Sequence, residues 1–266
     1  MHDPFAEFKE MQRRGWPHFV PVEAHTTQAA AQLVRRAGVR SGQRVLDVAC
    51  GTGVVALTAA RLGANVTGLD LTPELLERAR ENAAIAQTSI EFLEGDAEAL
   101  PFGDGAFDVV LSQFGHIFAP RPDVALSEML RVLRPGGTVA FSTWPPHTFV
   151  GRTFTLLSRY LPPPPKGVVS PALWGEPDVV GKRFDGRVTD VVFDTAIVLV
   201  GALSPQHHEL SQERTIGPVV TLVEKLTTSD PATLVQFRKE YEAVCAEYFF
   251  ENAVALSFLV TRAKKI

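Results

Sequence analysis

The chain has 266 residues, 45% hydrophobic and 21% charged, with a formal charge of -4, the balance of an ordinary globular domain with a single sizeable core. An acidic balance without a basic stripe gives nucleic acid or an anionic membrane no electrostatic handle. Cys50 and Cys245 are the only cysteines and lie far apart in the chain, so neither a disulfide framework nor a zinc-ligand cluster is suggested.

The start, "MHDPFAEFKEMQRRGW", lacks the positive flank and apolar stretch of a signal peptide, and no apolar run reaches the ~20 residues that span a bilayer. A cytoplasmic protein is expected. Residues 26–38 read as an Ala-rich amphipathic helix closed by Gly38. Strands are expected over 44–49, 65–70, 90–95, 107–112 and 138–144, with helical stretches between them. One helix starts with Thr72 as N-cap, Pro73 at its first position and Glu74 in its first turn, and runs to about Ala86. Another, "PDVALSEMLRVL", stops at Arg134-Pro135-Gly136-Gly137, a turn that aims the next strand. Strands alternating with helices of this length mean an α/β fold with a parallel sheet and right-handed crossovers.

After Trp144 the alternation fades. "LPPPPKG" (161–167) reads as a stiff surface connector, and 187–200 is β-rich. Leu234, Phe237, Tyr241, Val244 and Tyr248 recur at helical spacing, and 255–265 reads as a closing strand. One domain is expected in three parts: an N-terminal helical cap over 1–40, a ligand-binding core over 41–144, and 145–266 completing the sheet with lid insertions.

The chemistry begins at "DVACGTGVVAL" (47–57), where a strand carrying Asp47 breaks into Gly51-Thr52-Gly53. A glycine turn between a first strand and first helix lets a ligand approach the backbone beside a helix N-terminus. Gly51, Gly53 and Ala56 satisfy the relaxed dinucleotide fingerprint, with Asp70 placed as a ribose-binding acid, so a nicotinamide-dependent dehydrogenase competes here. Asp47 argues against it, because a carboxylate beside the turn repels a pyrophosphate and suits an ammonium group. S-adenosylmethionine carries an ammonium and no phosphate. Asp70 would then accept from both ribose hydroxyls, and Asp96 from an adenine amine while the Ala97 amide meets a ring nitrogen. "FDVVLSQFGHIFAP" (107–120) ends the fourth strand in a loop bearing Gln113, Phe114 and His116, at the edge where open parallel sheets bind ligands.

From about Arg44 to Trp144 the chain resembles the class I S-adenosylmethionine-dependent methyltransferases, closest to the branch with the ubiquinone/menaquinone-biosynthesis C-methyltransferases. "VLDVACGTG", "VTGLDLTPELLERAR", "EGDAEALPF", "FDVVLSQFG" and "EMLRVLRPGG" carry the resemblance in order and spacing. The family pattern at the first loop is acid-x-Gly-x-Gly-x-Gly, and Ala49 stands at its first glycine. The resemblance implies a Rossmann-like, seven-stranded, mostly parallel sheet with helices on both faces and a lid, its last strand, "ALSFLVTRAKK", antiparallel and "RVTDVVFDT" the sixth. It also implies that Asp47, Ala49 and Gly51, with Gly53 in the same turn, hold the methionine part, Asp70 and Leu71 the ribose and adenine, and Asp96 and Ala97 the adenine. Gln113 would sit near the sulfonium.

Methyl transfer from a sulfonium is an in-line displacement that needs positioning and a water-poor site more than acid or base help. Where the acceptor must lose a proton, His116 is the candidate base, ahead of His18 and His25. His207 and His208 are adjacent and point opposite ways, which argues against a metal site; none is expected. The aromatic stripe Phe237, Tyr241 and Tyr248 reads as core or lid packing. No Asn/Asp-Pro-Pro-Tyr follows the fourth strand and no Pro-Cys nucleophile is present, so a small-molecule acceptor, apolar or aromatic, is expected in place of nucleic acid. A protein that binds the cofactor without turnover fits the same residues. The oligomeric state is left open.

Overall fold

The computed structural model describes residues 3–266; Met1 and His2, the start of the expected cap, lie outside the described residues. An N-terminal arm comes first: α1 (Ala6–Gly15) and a 3-10 segment (Trp16–Thr26) lead into α2 (Thr27–Ala37). α2 buries Ala29, Ala30, Leu33, Val34 and Ala37 along one stripe and ends on Gly38 at φ 68°, the left-handed conformation a helix C-terminus favours.

The alternation read from the sequence is then followed closely: β1 (Arg44–Val48), α3 (Val54–Ala60), β2 (Asn65–Asp70), α4 (Pro73–Ile85), β3 (Glu91–Glu94), β4 (Phe107–Gln113), α5 (Pro122–Val132) and β5 (Leu133–Thr143). Val45, Leu46, Asp47 and Val48 are all buried, as expected of a central parallel strand covered on both faces. α4 starts where expected, but Thr72 makes no side-chain cap; the Asp70 carboxylate accepts the Thr72 amide at 2.9 Å in its place. β5 begins earlier than expected. Leu133 pairs with Phe107, the turn at 134–137 bulges out, and pairing resumes at Thr138 opposite Val109.

The second half supplies α6 (Phe149–Leu157), α7 (Pro177–Phe184), β6 (Val188–Gly201), α8 (Pro205–Thr215), α9 (Gly217–Ser229), α10 (Pro231–Ala246), β7 (Phe249–Phe250) and β8 (Ala253–Lys265). The sheet order is β3-β2-β1-β4-β5-β8-β6. β1 to β5 run parallel, while β8 is antiparallel to both β5 and β6. The expected seven-stranded path is present with its antiparallel last strand in place. A two-residue eighth strand, β7, pairs with β8 outside that path. The order reverses between β1 and β4, which opens a crevice over the carboxyl ends of these strands.

Two cores result. The larger lies between the sheet and its flanking helices, and α7 belongs to it through Val180 and Phe184. The smaller is built by Phe149, Leu156 and Leu157 of α6, Val219, Leu222 and Leu226 of α9, and Leu234, Phe237, Tyr241 and Cys245 of α10. Phe237 and Tyr241 of the aromatic stripe are therefore core. α8 carries no clear apolar period in the sequence, reading "PQHHELSQERT", whereas Val219, Leu222, Val223 and Leu226 of α9 recur at helical spacing. Ser204 and Asp230 cap α8 and α10 by accepting the His207 and Thr233 amides. The arm meets this helical unit at a glycine pair: a Cβ on Gly217 would stand 2.5 Å from the Gly15 carbonyl oxygen. No helix among the described residues is long and apolar enough to cross a membrane.

Candidate active site

The turn after β1 is built from left-handed residues. Ala49 and Gly51 sit at φ 54° and Gly53 at φ 80°. At Gly53 a Cβ would stand 3.1 Å from both Ala79 Cβ and the Phe92 ring, so glycine is needed for space as well as backbone. Ala49, at the position where the family pattern has glycine, bears that strain with a side chain, at a cost of roughly 1 kcal/mol. Ala49→Gly relieves it and loosens the unfolded chain by a similar amount. We expect thermal stability unchanged or raised by up to about 1 kcal/mol, with S-adenosylhomocysteine affinity preserved; calorimetry checks both.

Two acids face this turn. Asp47 is 1% exposed; its Oδ2 accepts the Ala56 amide of α3 at 3.0 Å, while Oδ1 is buried without a partner. Burial, then the charge of Asp70, pushes the Asp47 carboxyl up to about 8, against the pull of the Ala56 amide. Asp70 accepts Gly51 N at 2.8 Å and Thr72 N at 2.9 Å, one on each oxygen, and burial raises it also. Each Asp70 oxygen keeps a lone pair for a further donor. Cys50 is buried, its thiol held well above its ordinary value first by burial and then by both acids, so it is not a nucleophile.

The arm closes over this edge. Lys9 Nζ lies 2.7 Å from Asp3, 2.6 Å from Asp96 and 2.6 Å from Glu98. Asp96 Oδ1 accepts the Glu98 amide at 2.8 Å. Glu23 accepts from Arg78 at 2.6 Å and from Asn82 at 3.0 Å, and Asn82 also reaches the Thr52 carbonyl. Gln113 Nε2 donates to the Thr26 carbonyl at 3.1 Å, leaving its Oε1 buried without a partner. Sequence reasoning missed Lys9, Glu23 and Glu98. The acid-rich run "EGDAEAL" shows that cations are needed there but not which residues supply them.

A methyltransferase-domain family model (type 11) matches residues 46–141, the stretch holding both acids and the glycine turn. An uncharacterized protein of Mycobacterium tuberculosis is 36% identical over 234 residues, 88% of this chain and 85% of its own length. The demethylmenaquinone methyltransferase of Renibacterium salmoninarum is 40% identical over 129 residues, 48% of this chain and 52% of that one. The chain belongs to the S-adenosylmethionine-dependent methyltransferases. The YcgJ protein of Bacillus subtilis shares the methyltransferase's fold, with a TM-score of 0.61 over 90% of this chain and 99% of that one at 19% identity.

The residues of the methyltransferase fit S-adenosylmethionine. The partnerless, buried Asp47 oxygen suits an ammonium group, and at Gly51 a Cβ would meet nothing within 4 Å, so the backbone of the turn is open to a ligand there. When bound, the cofactor supplies the methyl group on a sulfonium leaving group.

His116 does not suit the role of base. It is 1% exposed, between Phe141 at 4.8 Å and Trp174 at 4.6 Å between ring centroids. Ser112 Oγ donates to the Val48 carbonyl at 2.7 Å and so accepts from His116 Nδ1 at 2.9 Å. Burial, and then Arg183, hold the ring down to about 3, so it stays neutral and braces the loop after β4. The sequence places it at the right loop without showing that the loop's 3-10 turn sends the side chain inward.

Proposed function

We propose that this methyltransferase acts on a small organic acceptor, at carbon, oxygen or nitrogen, by in-line transfer within a site closed by the arm and the α6, α8, α9 and α10 unit. The observation that carries the reading is the split between the two cores. The residues assigned to the cofactor in this reading lie on β1, β2, the loop after β3 and the end of β4, while a separate helical unit with an aromatic interior stands beyond the carboxyl ends of β5 and β6. In open α/β folds the sheet edge fixes the cofactor and added segments make the acceptor pocket. Asp47, Ala49, Gly51 and Gly53 take the methionine part in this reading, Asp70 and Leu71 the ribose and adenine, Asp96 and Ala97 the adenine, and Gln113 the region of the sulfonium. In this reading the acceptor is apolar or aromatic, in keeping with the aromatic residues of that unit. Two buried free thiols support a reducing, cytoplasmic setting.

Hydrogen exchange with S-adenosylhomocysteine present, with and without an acceptor or inhibitor, tests the division. Acceptor-dependent protection is expected in the arm and in 145–170 and 201–250, and not in α7, which packs in the main core. Protection confined to 44–144 would show the division to be wrong.

A further inference from the structure

α8 starts just beyond the carboxyl end of β6, and its first turn sends His208 and Glu209 inward, 4% and 3% exposed. His208 Nδ1 lies 3.1 Å from the Tyr241 hydroxyl of α10, and the two rings are near parallel at 16°. Phe149 of α6 stands edge-on to His208 at 5.3 Å. The 3-10 segment packs against α8 and brings His25 near. His25 precedes Thr26, whose carbonyl holds Gln113. The 3-10 segment therefore joins Gln113, at the end of β4, to the helix that carries His208. Nothing in the methyl-donor site uses that imidazole.

The tautomer follows from the surroundings. Burial keeps the Tyr241 hydroxyl protonated, well above its ordinary value, with Cys245 and Glu209 adding to the effect. Among the described residues its one hydrogen-bond partner is His208 Nδ1, so the hydroxyl donates to that nitrogen. Burial, then His25, lowers His208 to about 4, so the ring is neutral. Glu209 next to it is raised by burial and by Glu213, and Arg238 engages Glu213 at 2.7 Å. A neutral ring that accepts at Nδ1 carries its proton on Nε2, and that N–H has no hydrogen-bond partner among the described residues.

We propose that His208, oriented by Tyr241, binds the methyl acceptor, its Nε2–H donating to the oxygen of an ionised phenol or enol; this rests on the reading that the helical unit holds the acceptor. The acceptor ionises on binding and its proton passes to solvent. The methyl–sulfur bond then breaks with its electron pair left on sulfur, as the acceptor anion forms the new bond to the methyl carbon. A sulfonium and an oxyanion become two neutral products, so no base is required at the moment of transfer, in keeping with the burial of His116. The neutral imidazole N–H favours the ionised acceptor and fixes its orientation before the charge is lost in the transfer step.

The test uses the full chain, S-adenosylhomocysteine and 4-nitrophenol, whose phenolate absorbs in the visible and whose neutral form does not. With S-adenosylhomocysteine bound, the chain is expected to take up 4-nitrophenol as phenolate, moving its ionisation to lower pH. His208→Ala is expected to weaken that binding by about tenfold or more and to abolish the shift, as loss of a hydrogen bond to a charged group does. Tyr241→Phe leaves the imidazole unoriented and reduces both. His208→Gln, with an amide N–H of similar reach, restores part of the shift, which a merely structural role would not. Affinity for S-adenosylhomocysteine, measured alongside, stays unchanged in all three. No binding of 4-nitrophenol, binding in the neutral form, or equal binding by His208→Ala overturns the inference and leaves the methyltransferase standing. Failure of the unaltered chain to bind S-adenosylhomocysteine strikes the cofactor reading itself.

Discussion

Asp70→Ala is expected to weaken S-adenosylmethionine binding by about 1.5–3 kcal/mol, the scale of hydrogen bonds to a charged group, with the fold intact. The two Asp70 oxygens each hold one backbone amide, Gly51 N and Thr72 N, which pins the carboxylate with one lone pair on each oxygen directed elsewhere. A ribose diol has the two donors to match. Loss of those two backbone bonds costs stability, but removing a buried charge beside Asp47 returns some of it, so the melting temperature moves little. A second readout separates the roles. Asp70 helps to raise Asp47, so the variant's Asp47 ionises at lower pH. Calorimetry of cofactor binding and a carboxyl titration followed by NMR measure the two effects, and unchanged affinity would sink the ribose assignment.

The parallel half of the fold was legible because strands such as 44–48 and 107–113 are buried runs separated by helices with ordinary start and stop signals. The positions of Asp47, Asp70 and Asp96, proposed for the cofactor, were legible for a similar reason. Each sits near or just past a strand end, with a glycine or proline within a few residues. The helical unit was legible only in part, through the apolar stripe of α10. α8 packs through a few side chains on a mostly polar surface, so no local period marks it; α9 carries one in Val219, Leu222, Val223 and Leu226, but a helical period does not say which unit the helix joins. Lys9 is harder still. It meets Asp96 and Glu98 only after the whole sheet has placed the loop beyond β3 under α1, and such a long-range ion pair leaves no trace in either local sequence. His116 shows the converse limit: chain position gave the correct loop, but direction depends on Ser112, which turns the ring toward Phe141 and Trp174.

Asp47→Asn is the sharper probe of the cofactor's identity, because an amide can still accept the Ala56 amide but carries no charge. In the free protein Asp47 titrates at about 8 against an ordinary 3.8, so the folded chain holds a proton there that the unfolded chain has lost. Folding stability from this group therefore falls as pH rises from about 4 to about 8, and the Asn variant's stability profile is flatter across that window. Binding has the opposite slope. An ammonium beside the partnerless Oδ1 favours the carboxylate, so the proton leaves when S-adenosylmethionine binds, and affinity rises between about pH 6 and 8. Calorimetry at pH 7 in two buffers of different ionisation heat should show proton release by the unaltered chain and none by Asp47→Asn. The variant should lose about 2 kcal/mol for S-adenosylmethionine and much less for an analogue lacking the amino group. Equal losses for both ligands would mean that Asp47 serves only to cap α3.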